Sequence, residues 1–249
     1  MQSVLASFFL LALLLIALSY CLRLLIHRGN YSVWEAILYA LAYCVCRGLW
    51  RVRVEQTQPL PTDRGIIFVA NHRSSIDPFL IQLAVGRRVH WMVAGEYCRH
   101  FLFGPILRLF QVIPTNRGGV DTASTKQAIR LLREGRWIGM FPEGRINRTS
   151  KPTLSVRPGA GLVAMRGNAV LVPIWIEGSP QSPTVWGPLL KPANVRVKVG
   201  AFLPQPAVTD DAEQDLSREW IRNAMQQVCV LGGHPTAKIE LAGKQWVDS

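Results

Sequence analysis

The residues best suited to chemistry are a histidine and an aspartate in Asn71-His72-Arg73-Ser74-Ser75-Ile76-Asp77-Pro78. Four residues separate His72 from Asp77, enough for the chain to turn back and set the carboxylate on one imidazole nitrogen. Such a contact fixes the tautomer and leaves the other nitrogen as a general base. Ile66 to Ala70 is a short apolar run that reads as a buried strand. Phe79 to Ala84 reads as the start of a helix, with Asp77 as N-cap and Pro78 in the first turn, where its missing N–H is not needed. The pair therefore belongs on a strand-to-helix turn. The plainer reading is a helix cap beside a solvated histidine, and spacing alone leaves both open.

The flanking elements argue an α/β domain with a largely parallel central sheet flanked by helices. Val89 to Val93, Val112-Ile113, Trp137 to Phe141 and Ala169 to Ile176 read as strands. Arg51 to Glu55 alternates as a strand does, and Val195 to Val199 reads as an edge strand because Arg196 and Lys198 interrupt it. Asp121 to Glu134 reads as a helix capped by Asp121 or Thr122 and stopped by Gly135. Pro158 to Arg166 is a short helix. Leu216, Trp220, Ala224 and Val228 recur every fourth residue and mark a C-terminal amphipathic helix. Phe101 to Phe110 is apolar but carries Gly104-Pro105, so it reads as a broken helix or a hydrophobic loop.

The four strand-end blocks, in this order, resemble the glycerolipid acyltransferases of the 1-acylglycerol-3-phosphate acyltransferase (lysophosphatidic acid acyltransferase) type. Asn71-His72-x-Ser74-x-x-Asp77-Pro78 is similar to the first block of that family. Val112-Ile113-Pro114-Thr115-Asn116-Arg117 is similar to the second, Phe141-Pro142-Glu143-Gly144-Arg145 to the third and Val170-Leu171-Val172-Pro173-Ile174 to the fourth. The resemblance runs from about residue 64 to about residue 178. It implies transfer of a fatty acyl group from acyl-CoA or acyl-carrier-protein to the sn-2 hydroxyl of 1-acylglycerol 3-phosphate, giving phosphatidic acid. His72 would be the base and Asp77 its orienter. Direct attack fits a chain without a Gly-x-Ser-x-Gly elbow.

By the same resemblance Arg117 grips the acceptor's phosphate, for which a guanidinium fork is well shaped. Glu143 orients Arg117 or Arg145, or accepts a bond from a glycerol hydroxyl; its plainer role is a turn residue bonding local N–H groups. Gly144 keeps that turn tight. Arg145 stands where the family commonly has Thr or Ser, which opens the question of a second phosphate ligand. Arg157, beside Pro158-Gly159, is a further phosphate-binding candidate. His72, Arg117 and Glu143 each follow an expected strand, so a parallel sheet would bring them to one rim. No cofactor is expected beyond the acyl donor as co-substrate, and no His-Glu-x-x-His or carboxylate cluster suggests a metal. The alternatives are another lysophospholipid or lyso-aminolipid acceptor, and a non-catalytic basic protein bound to membranes.

The chain has 249 residues and a formal net charge of +12. Between Phe79 and Arg166 there are 14 Lys or Arg against 4 Asp or Glu, so the positive field centres on the candidate site. Such a field favours lipid headgroups, coenzyme A phosphates or an acidic carrier. A nucleic-acid partner is not expected, because charge is its only signal. The five cysteines show no zinc or redox spacing and read as free thiols in a reducing compartment.

Residues 1–22 carry no charged side chain. They read as a retained transmembrane helix over about 3–22, since both the basic start and the small-residue cut of a signal peptide are missing. Arg23, His27 and Arg28 follow and place the catalytic domain on the cytoplasmic face. Residues 34–48 hold an 11-residue apolar stretch, Ala36 to Cys46, too short to span. It reads as a re-entrant or interfacial helix, or as one packed on the domain. The expected division is 1–50 as membrane anchor, 51–235 as acyltransferase domain and 236–249 as C-terminal tail.

Overall fold

The computed structural model of the protein describes residues 2–29, 31–101, 103–116, 122–207 and 213–242. Two helices come first, α1 (Gln2–Gly29) and α2 (Val33–Gly48). A single sheet follows, built from β1 (Arg53–Gln56), β2 (Ile66–Ala70), β3 (Val89–Ala94), β4 (Ile113–Thr115), β5 (Trp137–Met140), β6 (Val170–Glu177) and β7 (Arg196–Val199). The strand order is β1-β7-β6-β2-β5-β3-β4. Every neighbouring pair is parallel except β6 with β7. The intervening helices are α3 (Asp77–Val85), α4 (Gly95–Arg99), α5 (Phe103–Leu109), α6 (Thr122–Arg133), α7 (Gly159–Arg166) and α8 (Glu213–Leu231).

Central strand β2 is buried along its whole length, as its unbroken apolar run implies. Ile67 and Val69 pack with α6, α7 and α8, through residues such as Leu132, Ala164 and Ala224. Ile66, Phe68 and Ala70 face the other layer, with Leu80 and Ile81 of α3 and Cys46 of α2. This two-sided burial fixes the height of the β2–α3 turn.

Several expectations need correction. β7 is not an edge strand: it lies between β1 and β6, with Val197 and Val199 buried. The edge position belongs to β1, exposed at all four residues. Lys198 is accommodated because its Nζ donates to the Leu231 carbonyl at 2.9 Å. Around Gly104-Pro105 the helix is not broken, because both residues fall in the first turn of α5, where a proline is tolerated. α4 had no signal in the sequence reading. Residues 236–242 dock rather than trail away: Val156 N–H donates to the Glu240 carbonyl and Ala242 N–H to the Val156 carbonyl.

α2 is amphipathic and does two things. One face packs on the domain through Ala36, Tyr39, Cys46 and a buried Glu35, which pairs with the Arg88 guanidinium. Ser32 and Glu35 form a reciprocal capping box at its start. Leu38, Leu41 and Val45 lie on the outer face, exposed. α1 packs Leu22 and Ile26 against Tyr31 and Tyr39. The stretch Ser7–Leu24, of mean hydropathy 2.2, has none of its length buried and is long and apolar enough to cross a membrane.

Candidate active site

The carboxyl ends of β2 and β5 bring two of the blocks together. His72 Nδ1 lies 3.0 Å from Asp77 Oδ2. The same oxygen accepts the backbone N–H groups of Arg73, at 2.7 Å, and Ser74, at 2.8 Å. Asp77 is completely buried, whereas the His72 side chain is 16% exposed. With an acceptor at Nδ1, that nitrogen carries the ring proton and Nε2 keeps the lone pair.

Asp77 does not cap α3. The N-cap residue is Ile76, which makes no side-chain cap bond, and Asp77 begins the helix with its carboxylate turned back into the preceding loop. A carboxylate with three donors already on one oxygen is committed to the turn and its histidine.

The imidazole is also held by stacking. Its ring lies on Phe141, 4.0 Å between centroids and 12° from coplanar, and Phe141 lies on Trp91 at 5.2 Å. Trp91 reaches this position because Gly139 has no side chain; a Cβ there would come within 2.3 Å of the indole. One ring stack therefore joins β3, the end of β5 and the His72 turn.

Glu143 ties the third block to the first. Its Oε1 accepts the His72 backbone N–H at 2.9 Å, and its Oε2 accepts that of Leu154 at 2.9 Å. It is 3% exposed. Burial pushes its carboxyl up to about 7, against the opposing pull of the two backbone N–H groups. Both oxygens are thus engaged by backbone. Gly144 turns at φ +68, and an added Cβ would meet Arg157 Nε at 3.1 Å, so Arg157 lies against the Glu143-Gly144 turn. Arg145 is half-buried in the same turn. Arg117 and Asp121 lie outside the described residues.

Three residues that the sequence reading left without a role hold the site. Asn71 is completely buried and clasps β6, donating to the Ile176 carbonyl at 2.9 Å and accepting its N–H at 2.8 Å. Arg73 donates to the carbonyls of Asn147, Thr149 and Lys151, and so shapes the loop after Glu143. Ser74 Oγ donates to the Pro180 carbonyl at 2.6 Å. Their presence inside the first block was the only signal. A cleft of about 260 Å³ opens beside the turn, between Arg73, Ser75, Ile146, Arg148, Thr184 and Val185.

Comparison with known proteins bears on the family and the fold. The sequence model of the family described as Acyltransferase matches residues 51–177, just over half the chain. The chain belongs to the acyltransferase family. A 1-acyl-sn-glycerol-3-phosphate acyltransferase of Bacillus subtilis (strain 168) is 31% identical over 157 residues, covering 62% of this chain and 74% of that one. An N-acylphosphatidylethanolamine synthase of Arabidopsis thaliana is 28% identical over 133 residues, 49% of this chain and 47% of its own length. Among solved structures, the LPA acyltransferase PlsC of Thermotoga maritima superposes with a TM-score of 0.57 at 18% identity, over 91% of this chain and 98% of that one. That likeness bears on the fold alone: a mostly parallel sheet flanked by helices.

Proposed function

We propose that this acyltransferase moves a fatty acyl group from an acyl-CoA or acyl-carrier-protein thioester to the sn-2 hydroxyl of 1-acylglycerol 3-phosphate, giving phosphatidic acid. The observation that carries the reading is the 3.0 Å contact between His72 Nδ1 and a fully buried Asp77. It supports Nε2 as the base. In the proposed step the acceptor hydroxyl loses its proton to Nε2 as its oxygen attacks the thioester carbonyl. The C–O bond forms, the C–S bond breaks, and the leaving thiolate takes the proton back from the imidazolium. Asp77 steadies the cation in between, as the acid of a triad does. Arg117 is proposed for the acceptor's phosphate, with Arg145 and Arg157 near the same turn. Glu143 acts as a positioning residue, holding the His72 backbone. The name of the Bacillus relative supports this acceptor.

A second reading keeps the chemistry and changes the acceptor to another lysophospholipid or a lyso-aminolipid. The Arabidopsis relative, an N-acylphosphatidylethanolamine synthase by name, favours a different acceptor. In either case α1 is proposed to anchor the enzyme, with Arg23, His27 and Arg28 keeping the domain on the cytoplasmic face. The test is a matrix of acyl-CoA and acyl-carrier-protein donors against a panel of lysolipids, read as release of free thiol. Fastest turnover with 1-acylglycerol 3-phosphate is expected. A faster lyso-aminolipid supports the second reading, and no thiol release with any pair sinks both.

A further inference from the structure

The orientation of α1 has a consequence for the rim that carries His72. Leu22 and Ile26 near the end of α1 pack against the cluster of Tyr31, Ala36 and Tyr39 at the start of α2, so the chain doubles back and α2 runs against the direction of α1. α1 has 28 residues and α2 has 16, so α1 extends beyond the last turn of α2 by about 18 Å at ~1.5 Å per residue. That last turn sits at the rim. Ala193 N–H donates to the Leu49 carbonyl and Val195 N–H to that of Trp50, just before β7, whose Arg196 pairs with Glu177 at the end of β6. The apolar part of α1 therefore projects past the carboxyl end of the sheet, on the side where the His72 turn lies.

A loop that begins at the same rim also exposes apolar side chains. Residues 179–191 follow β6 and end in a short 3-10 turn, Gly187–Leu190. Leu190 is 84% exposed and Trp186 46%. The loop is pinned: Arg148 donates to the Ser182 and Pro183 carbonyls, Lys191 Nζ to the Gln181 carbonyl, and Ser75 Oγ to the Val185 carbonyl. Gly187 N–H donates to Thr184 Oγ1. Arg148 and Lys191, both exposed, bring positive charge to the loop, and exposed Arg51 bonds Asn194 just after it. An indole and a leucine on an ordered loop that also carries cations have the composition of a surface that seats at the boundary between headgroups and acyl chains.

We propose that this loop is a second membrane contact, with Trp186 and Leu190 entering the interface of an anionic bilayer beside α1. It rests on the reading of α1 as a membrane helix and goes beyond it. Ser75 and Ser74 join the loop to the catalytic turn, so the contact would hold the mouth of the His72 site against the lipid surface. The occupant is a bilayer because α1 already projects on this side and the charged side chains bonded to the loop, Arg148 and Lys191, are both positive.

The test uses the full chain reconstituted into phosphatidylcholine–phosphatidylglycerol vesicles whose acyl chains are brominated near the headgroup. Trp186→Phe is expected to remove a tryptophan component that bromolipid quenches and aqueous acrylamide does not. Leu190→Asp, at a solvent-open position, is expected to weaken the quenching of Trp186. Removal by Trp186→Phe of an acrylamide-quenched, lipid-insensitive component overturns the proposal, and so does unchanged quenching in the Leu190→Asp chain. Flotation of the same vesicles separates the two readings. A chain that floats with Trp186 open to acrylamide loses only the loop contact, whereas one that does not float loses the membrane reading as well.

Discussion

His72 does its proposed work through the nitrogen that Asp77 leaves alone. Replacing it with Ala removes the base without opening the core, because the ring lies at the surface of its stack. Turnover is expected to fall by roughly 10²–10⁴-fold with an unchanged circular-dichroism spectrum. A smaller loss in thiol release would move the base elsewhere. Arg117→Ala is expected chiefly to raise the acceptor KM, read from steady-state kinetics with kcat little changed. Glu143 makes a prediction about stability. Its carboxyl is raised to about 7 in the folded chain from an ordinary value of 4.5. Between those values the folded state holds a proton that the unfolded state releases, so this group's contribution to stability falls as pH rises from about 4.5 to about 7. Glu143→Gln cannot titrate. The gap between the urea midpoints of the two chains is therefore expected to change across that window and to be flat above it. A gap independent of pH would mean that Glu143 keeps its proton affinity on unfolding.

At the scale of elements, the ring stack is the vulnerable joint. Trp91 on β3 lies against Gly139 on β5, and Phe141 transmits their spacing to His72. Gly139→Ala is expected to cost about 1–3 kcal/mol by overpacking, and to lower turnover as the imidazole loses its seat. Urea denaturation and thiol release measure the two losses. Adding Trp91→Leu should recover part of the stability but not the turnover, since the stack is then gone. Much of this layer was legible beforehand. Apolar runs marked β2, β3, β5 and β6, and a four-residue period marked α8. β7 was misplaced because charge alternation signals solvent at one face, and it does not reveal whether another strand pairs outside.

For the whole molecule, the proposed membrane attachment is separable from folding. Leu22 and Ile26 anchor α1 to the domain, while the residues before them make the exposed apolar stretch. Deleting residues 2–20 is expected to leave the thermal midpoint within a few degrees, because no described core contact is lost. The same deletion should move the chain from the membrane pellet to an alkaline-carbonate wash. A large fall in midpoint would show that α1 supports the fold.

The amino-acid sequence by itself determined the features carried by neighbours in the chain. These are the apolar runs, the turn between strand and helix, the five-step spacing that lets Asp77 reach His72, and the apolar stretch of the N-terminal helix, which continues to Gly29 beyond the expected end near residue 22. It also carried the ordered blocks by which the family is recognised. Tertiary structure alone decided the rest. Asn71 finds Ile176 across 105 positions, and Glu143 finds the His72 N–H across 71. The reason is that their partners are backbone groups, which every residue has and no residue type advertises. Only the sheet's register selects which of them a buried side chain will meet, and only the packing of α1 on α2 decides at which rim of the sheet the apolar helix projects.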